Sequence, residues 1–197
     1  MSVTILKAGR EKICRAVCKK VKWAANLPAL NKTFAKLKYP TILGGNIAKK
    51  NSGRFSLWMA EPKEVFEITA GQSDPFKKLN KILNKYRPGD IYRDRPDGLF
   101  AGGWAGFFSY ELGRFIERLP QIAIDDLGLP LIRLCFYDKV LAYDHKEDEF
   151  RLTALQLPTD TEEIEEKITR LERILRESEK QDINRCVYGD IEEGDFS

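Results

Sequence analysis

The chain is poor in the residues that most single-chain chemistry needs. Among 197 residues there is one histidine, His145, and there are four cysteines and two methionines. Cys14, Cys18, Cys135 and Cys186 form no C-x-x-C pair and no disulfide-framework spacing. Cys14 and Cys18, four apart, have the only histidine, His145, far from them, so a zinc site has too few ligands. The expected role of the cysteines is that of small, partly buried thiols in a reduced protein. No apolar run approaches the roughly 18 residues of a membrane span. The basic N-terminus lacks the apolar stretch and small-residue site of a secretory signal. These absences make the cytoplasm the expected location, with no membrane partner. There is no G-x-x-x-x-G-K-S/T loop and no H-E-x-x-H. A Ser–His–Asp or Cys–His set would have to use His145, which sits in a charged turn where water is hard to exclude.

What is present is a foldable composition: 43% hydrophobic and 11% aromatic residues, enough for one ordinary domain with a short appendage. The net charge of +3 conceals an asymmetry. Up to Arg54 there are thirteen lysines and arginines against Glu11 alone, so this stretch carries +12 and the remainder −9. Such a segment can bind nucleic acid or an acidic surface, or dock on the chain's own acidic part. Few aromatic residues interleave with its charges to stack bases, so nucleic acid is not an expected partner.

The chain divides into a basic helical extension (1–25), a main domain (26–180) and an acidic linker (181–197). Ile13, Val17 and Val21 recur every four residues and predict a weak helix over 4–22. Leu27, Leu30, Phe34 and Leu37 predict a second helix, ended by Pro40. A short strand is expected over 39–43. Strands over 54–60 and 65–69 are expected to form a hairpin about Glu61-Pro62-Lys63. Asp74-Pro75 reads as a helix start with Asp74 as the cap. Phe100 to Tyr110 joins three glycines to five aromatics, a pattern of strand with close backbone contact. Its Gly102–Gly106 segment lacks the lysine of a phosphate loop. A short helix over 111–119 follows. Three strands are expected over 131–137, 139–143 and 150–157, with 145–149 as a turn. Thr159 and Glu162 have capping-box spacing ahead of a helix to about Lys180. Hairpins dominate over β-α-β alternation, so the expected class is α+β: mainly antiparallel sheet, half of a β-sandwich-like body, with a few flanking helices. Asp125-Asp126 reads as a turn rather than a metal site. The residues alone indicate no catalytic and no metal-binding set.

The run from Phe100 to Asp144 adds an identity. GGWAGFFSYELGRFIERLP, DDLGLP, FYD and YDH resemble the amino-terminal domain of the large subunits of anthranilate synthase and aminodeoxychorismate synthase, the chorismate-utilising enzymes. The matching residues include Gly102, Gly103, Gly106, Tyr110, Gly113, Arg114, Glu117, Pro130, Tyr137, Asp138 and Asp144. Pro40-Thr41-Ile42-Leu43, Arg54-Phe55-Ser56 and Ala60-Glu61-Pro62 fit in the same order, so the resemblance covers about residues 26–157. Ala60-Glu61-Pro62 and Glu111-Leu112-Gly113-Arg114 resemble the aminodeoxychorismate group more than the anthranilate group.

This resemblance implies a non-catalytic, scaffold or regulatory portion of aminodeoxychorismate synthase component I, whose family aminates chorismate on the way to 4-aminobenzoate and folate. The alternatives are the same portion of anthranilate synthase component I, or a stand-alone aromatic amino acid binding module. It implies two partners, a chorismate-binding catalytic domain and a glutamine amidotransferase subunit. No cofactor is implied in this chain, and Mg2+ is implied in the catalytic domain. The chain is expected to be a fragment, a split-gene product or a truncated copy, inactive alone. The family's tryptophan pocket uses a Leu-Leu-x-Ser element and an Arg-Phe or Arg-Tyr strand. The corresponding residues here are Leu43, Gly44, Gly45, Arg54 and Phe55, and this set reads as a vestigial pocket. Gly45 stands at the serine position, and a site built around a hydrogen bond loses about 1–3 kcal/mol when one partner goes.

Overall fold

The computed structural model describes residues 15–24, 26–44, 53–86, 96–118 and 127–179. Its elements are β1 (Arg15–Val21), α1 (Leu27–Phe34), β2 (Thr41–Leu43), β3 (Phe55–Met59), β4 (Glu64–Ile68), α2 (Pro75–Leu83), β5 (Gly103–Phe108), a 3-10 helix (Tyr110–Phe115), β6 (Ile132–Tyr137), β7 (Lys139–Asp144), β8 (Glu149–Gln156) and α3 (Ile164–Glu179). Every pairing is antiparallel. A five-stranded sheet has the order β1-β8-β7-β3-β2, and a three-stranded sheet the order β4-β6-β5. The expected α+β class holds.

Alternating side chains build the layers. On β3, Trp58 points to the helices, where it packs with Leu30 and Phe34 of α1 and with Ile164, Ile168, Leu171 and Leu175 of α3. Its neighbours Leu57 and Met59 point the other way, against Cys135, Tyr137 and Val140 between the sheets. Ile132 and Leu134 of β6 face outward again, under Leu79 and Ile82 of α2 and Leu112 of the 3-10 helix. The order is helices, large sheet, small sheet, helices. Asn26 starts α1, its side chain accepting from Ala29 N–H at 3.1 Å.

Several expectations are corrected. The basic extension is not helical where it is described: Arg15–Val21 is a strand, paired with β8 through all seven residues. Four is an even number, so an every-fourth-residue pattern also places Val17 and Val21 on one face of a strand. That face carries Arg15 and Lys19 onto acidic α3, with Arg15 Nη2 3.2 Å from Glu165 and Lys19 paired to Glu172. The docking of the basic stretch on the chain's own acidic part is thus realised here.

The hairpin of β3 and β4 does not form, because the two strands join different sheets. Glu61, at φ 52°, turns the chain out of one sheet, and Lys63 N–H donates to Phe136 O at 2.9 Å in the other. β6 and β7 likewise separate at the single residue Asp138. Asp74 makes no side-chain cap and lies at φ 53°, ψ 49°, although Pro75 does open α2. The helix over 111–119 is a 3-10 turn ending at Phe115. At α3, Glu166 and not Glu162 reaches back, accepting from Glu163 N–H at 3.1 Å. Cys14, Gly45, Asp125-Asp126, Cys186 and the 181–197 linker lie outside the described residues.

The glycine-rich strand behaves as expected. A Cβ on Gly106 would sit 2.0 Å from Arg133 O of the paired β6. One on Gly102, at φ +130°, would meet Leu155 Cδ1 at 2.8 Å and Tyr137 O at 2.9 Å. Close packing rather than phosphate binding explains these positions.

Candidate functional site

The residues of the expected pocket come together only in part. β2 and β3 are antiparallel neighbours with Leu43 opposite Leu57, so Leu43, Gly44, Arg54 and Phe55 share one end of the sheet. Leu43 is half exposed, and a Cβ on Gly44 would meet nothing within 4 Å. Arg54, the one cation of the set, is engaged within the fold. Its Nε and Nη2 donate to Asp144 Oδ1 and Oδ2 at 2.7 and 2.6 Å, a bidentate pair on a fully buried carboxylate. Asp144 Oδ1 also accepts from Lys146 N–H at 3.1 Å at the β7–β8 turn. Burial alone would raise the Asp144 pKa, but Arg54 and the turn amides outweigh it and hold the carboxyl below its ordinary range. Hydrogen bonding to Asp144 in turn raises the Arg54 pKa. Nearby, Ser56 Oγ and His145 Nε2 lie 2.8 Å apart, and the His145 ring meets Tyr143 edge-on at 4.9 Å. Tyr143 is pushed up to about 12 by its hydrogen bond to Asp148 and by burial. The charges described at this end of the sheet are paired within the fold.

A second cluster went unread in the sequence. Lys167 is fully buried on α3. Its Nζ lies 2.5 Å from Asp160 Oδ2, 2.7 Å from Leu155 O and 2.8 Å from Asp138 Oδ2, the last an ion pair rather than an aligned hydrogen bond. Lys63 Nζ reaches Asp160 Oδ1 at 3.0 Å and Asp138 Oδ2 at 3.8 Å, and Lys139 Nζ reaches Asp138 Oδ1 at 3.3 Å. Desolvation lowers the Lys167 pKa, but the two carboxylates outweigh it and the net shift is upward. Asp160 is shifted below the ordinary carboxylate range, Lys167 and the Leu157 N–H outweighing its burial. The sequence did carry a signal: Lys167 falls within the apolar stripe of Ile164, Ile168 and Leu171. Asp138, Lys63 and Asp160 mark where the chain changes sheets or enters α3, so the cluster locks α3 onto both crossings between the sheets.

A third feature is an apolar surface. Phe107, Phe108, Tyr110, Phe115, Ile116, Leu127 and Leu129 are exposed, Tyr110 at 86% and Ile116 at 77%. On β5, Phe107 and Phe108 point to opposite faces and both are uncovered at 40% and 54%. Among the described residues no group of three or more His, Cys, Asp or Glu side chains could hold a metal ion. Asp138 and Asp160, which share the Lys167 ammonium, are paired with lysines. No helix among the described residues is long and apolar enough to cross a membrane.

Two packed antiparallel sheets with helices on both outer faces define the class, and the comparisons give the family. The fold is similar to the crystal structure of anthranilate synthase component I from Streptococcus pneumoniae TIGR4, at a TM-score of 0.51 and 22% identity, over 73% of this chain and 34% of that one. The sequence model of the chorismate binding enzyme family matches residues 45–190. The chain belongs to that family of chorismate-utilising enzymes. It is 42% identical over 79 residues to anthranilate synthase alpha subunit 1 of Arabidopsis thaliana, covering 38% of this chain and 13% of the relative. It is 35% identical over 108 residues to aminodeoxychorismate synthase component 1 of Bacillus subtilis, covering 55% and 22%. With the Escherichia coli K12 aminodeoxychorismate synthase component 1 the identity is 32% over 124 residues, covering 56% and 27%. The chain therefore spans between 13% and 27% of these curated relatives.

Proposed function

We propose that this chain is a non-catalytic scaffold portion of aminodeoxychorismate synthase component I, serving the amination of chorismate to 4-amino-4-deoxychorismate for 4-aminobenzoate and folate synthesis in the cytoplasm. The observation that carries this reading is the set of exposed apolar side chains Phe107, Phe108, Tyr110, Phe115, Ile116, Leu127 and Leu129. They lie within the run that carries the family resemblance, and apolar surface left open on this scale supports a partner interface. Its partner is the catalytic portion of the enzyme, which holds Mg2+ and receives ammonia from a glutamine amidotransferase subunit. The internal engagement of Arg54 and Lys167 supports a structural role for this part, because neither cation is left to hold an anionic substrate. The vestigial tryptophan pocket at Leu43, Gly44, Gly45, Arg54 and Phe55 belongs to the same reading: occupation of Arg54 by Asp144 opposes capture of an amino acid carboxylate.

The 42% identity to the Arabidopsis anthranilate synthase segment favours a second reading, the same scaffold role in anthranilate formation. Two parallel reconstitutions separate them. The full chain is mixed with the separately produced catalytic portion of an aminodeoxychorismate synthase or of an anthranilate synthase, each with its amidotransferase subunit, chorismate, glutamine and Mg2+. The first reading expects the chain to be required for 4-amino-4-deoxychorismate in the first reaction and to be without effect in the second. A requirement for the chain in anthranilate formation supports the second reading, and amination of chorismate by the chain alone with ammonia and Mg2+ overturns both.

A further inference from the structure

We draw no further inference here: the strongest candidate, the uncharged outer edge of β5 with the exposed Phe107 and Phe108, belongs to the surface already described, and nothing in the structure shows which strand covers it.

Discussion

Replacing Lys167 with methionine removes the ammonium on which Asp138, Asp160 and the Leu155 carbonyl converge, while keeping most of the buried aliphatic stem. Deleting one partner of a buried ion pair typically costs 3–5 kcal/mol, because the other charge stays buried. Here Lys63 at 3.0 Å from Asp160 and Lys139 at 3.3 Å from Asp138 remain, which places the expected loss near the lower end, at about 3 kcal/mol. With a urea m-value of about 2 kcal/mol/M for a chain of this size, the unfolding midpoint falls by about 1.5 M. The pH dependence gives a second, independent reading. The Lys167 pKa is raised on folding, so its contribution is complete below the ordinary lysine value of 10.5 and is lost as pH climbs through the folded value. The Asp160 pKa is lowered, so its contribution is present above the ordinary 3.8 and is lost as pH falls through the folded value. In K167M both the alkaline and the acid losses should become shallower, with Lys85, Tyr137 and Tyr143 keeping the alkaline losses of their own raised pKa values. Urea titrations at pH 3, 7 and 11 measure all three. A midpoint at pH 7 within about 0.3 M of the parent chain, less than 1 kcal/mol, would refute the assignment of the cluster as the lock between α3 and the sheets.

Gly106→Ala should cost more than 3 kcal/mol or abolish soluble expression, since its Cβ meets the Arg133 carbonyl across the ladder; Gly44→Ala, in open space, should leave the thermal midpoint unchanged. Arg54→Met should lose about 3 kcal/mol, with Asp144 left buried without its bidentate partner, and Arg54→Lys should recover only part of this. The Asp144 share of that stability is present above pH 3.8 and lost as pH falls, so the gap between the denaturation curves of parent and R54M at pH 7 should narrow at pH 3. Light scattering should find the chain self-associating through its apolar surface, and Phe108→Glu with Ile116→Glu should shift it toward monomer; a parent chain monomeric at high concentration contradicts this use of the surface. Arg15→Ala and Lys19→Ala should each change stability by less than about 1 kcal/mol, as exposed pairs do, when followed by chemical denaturation.

The sequence determined the elements whose patterns are local. The apolar stripes of α1 and α3, the strands β6, β7 and β8 and the polar turn at His145 follow from spacing and turn chemistry between near neighbours. Gly102 and Gly106 were legible as close-contact positions, and the ordered motifs from Phe100 to Asp144 pointed to the chorismate-utilising family. Only the tertiary structure decided which sheet each strand joins. Glu61 and Asp138 send consecutive strands to different sheets, and nothing in the two flanking strand patterns distinguishes that crossing from a hairpin. Arg15–Val21 satisfies helix and strand periodicity equally well, and the backbone partners that make it a strand lie on β8, more than a hundred residues away. The charges followed the same rule. Arg54 is neutralised by Asp144 and Lys167 by Asp138, across separations that spacing along the chain does not encode, with Asp160 added from seven residues before Lys167. Local patterning fixes which faces are apolar; the cost of burying a charge is met only by whatever partner the completed fold brings within about 3 Å.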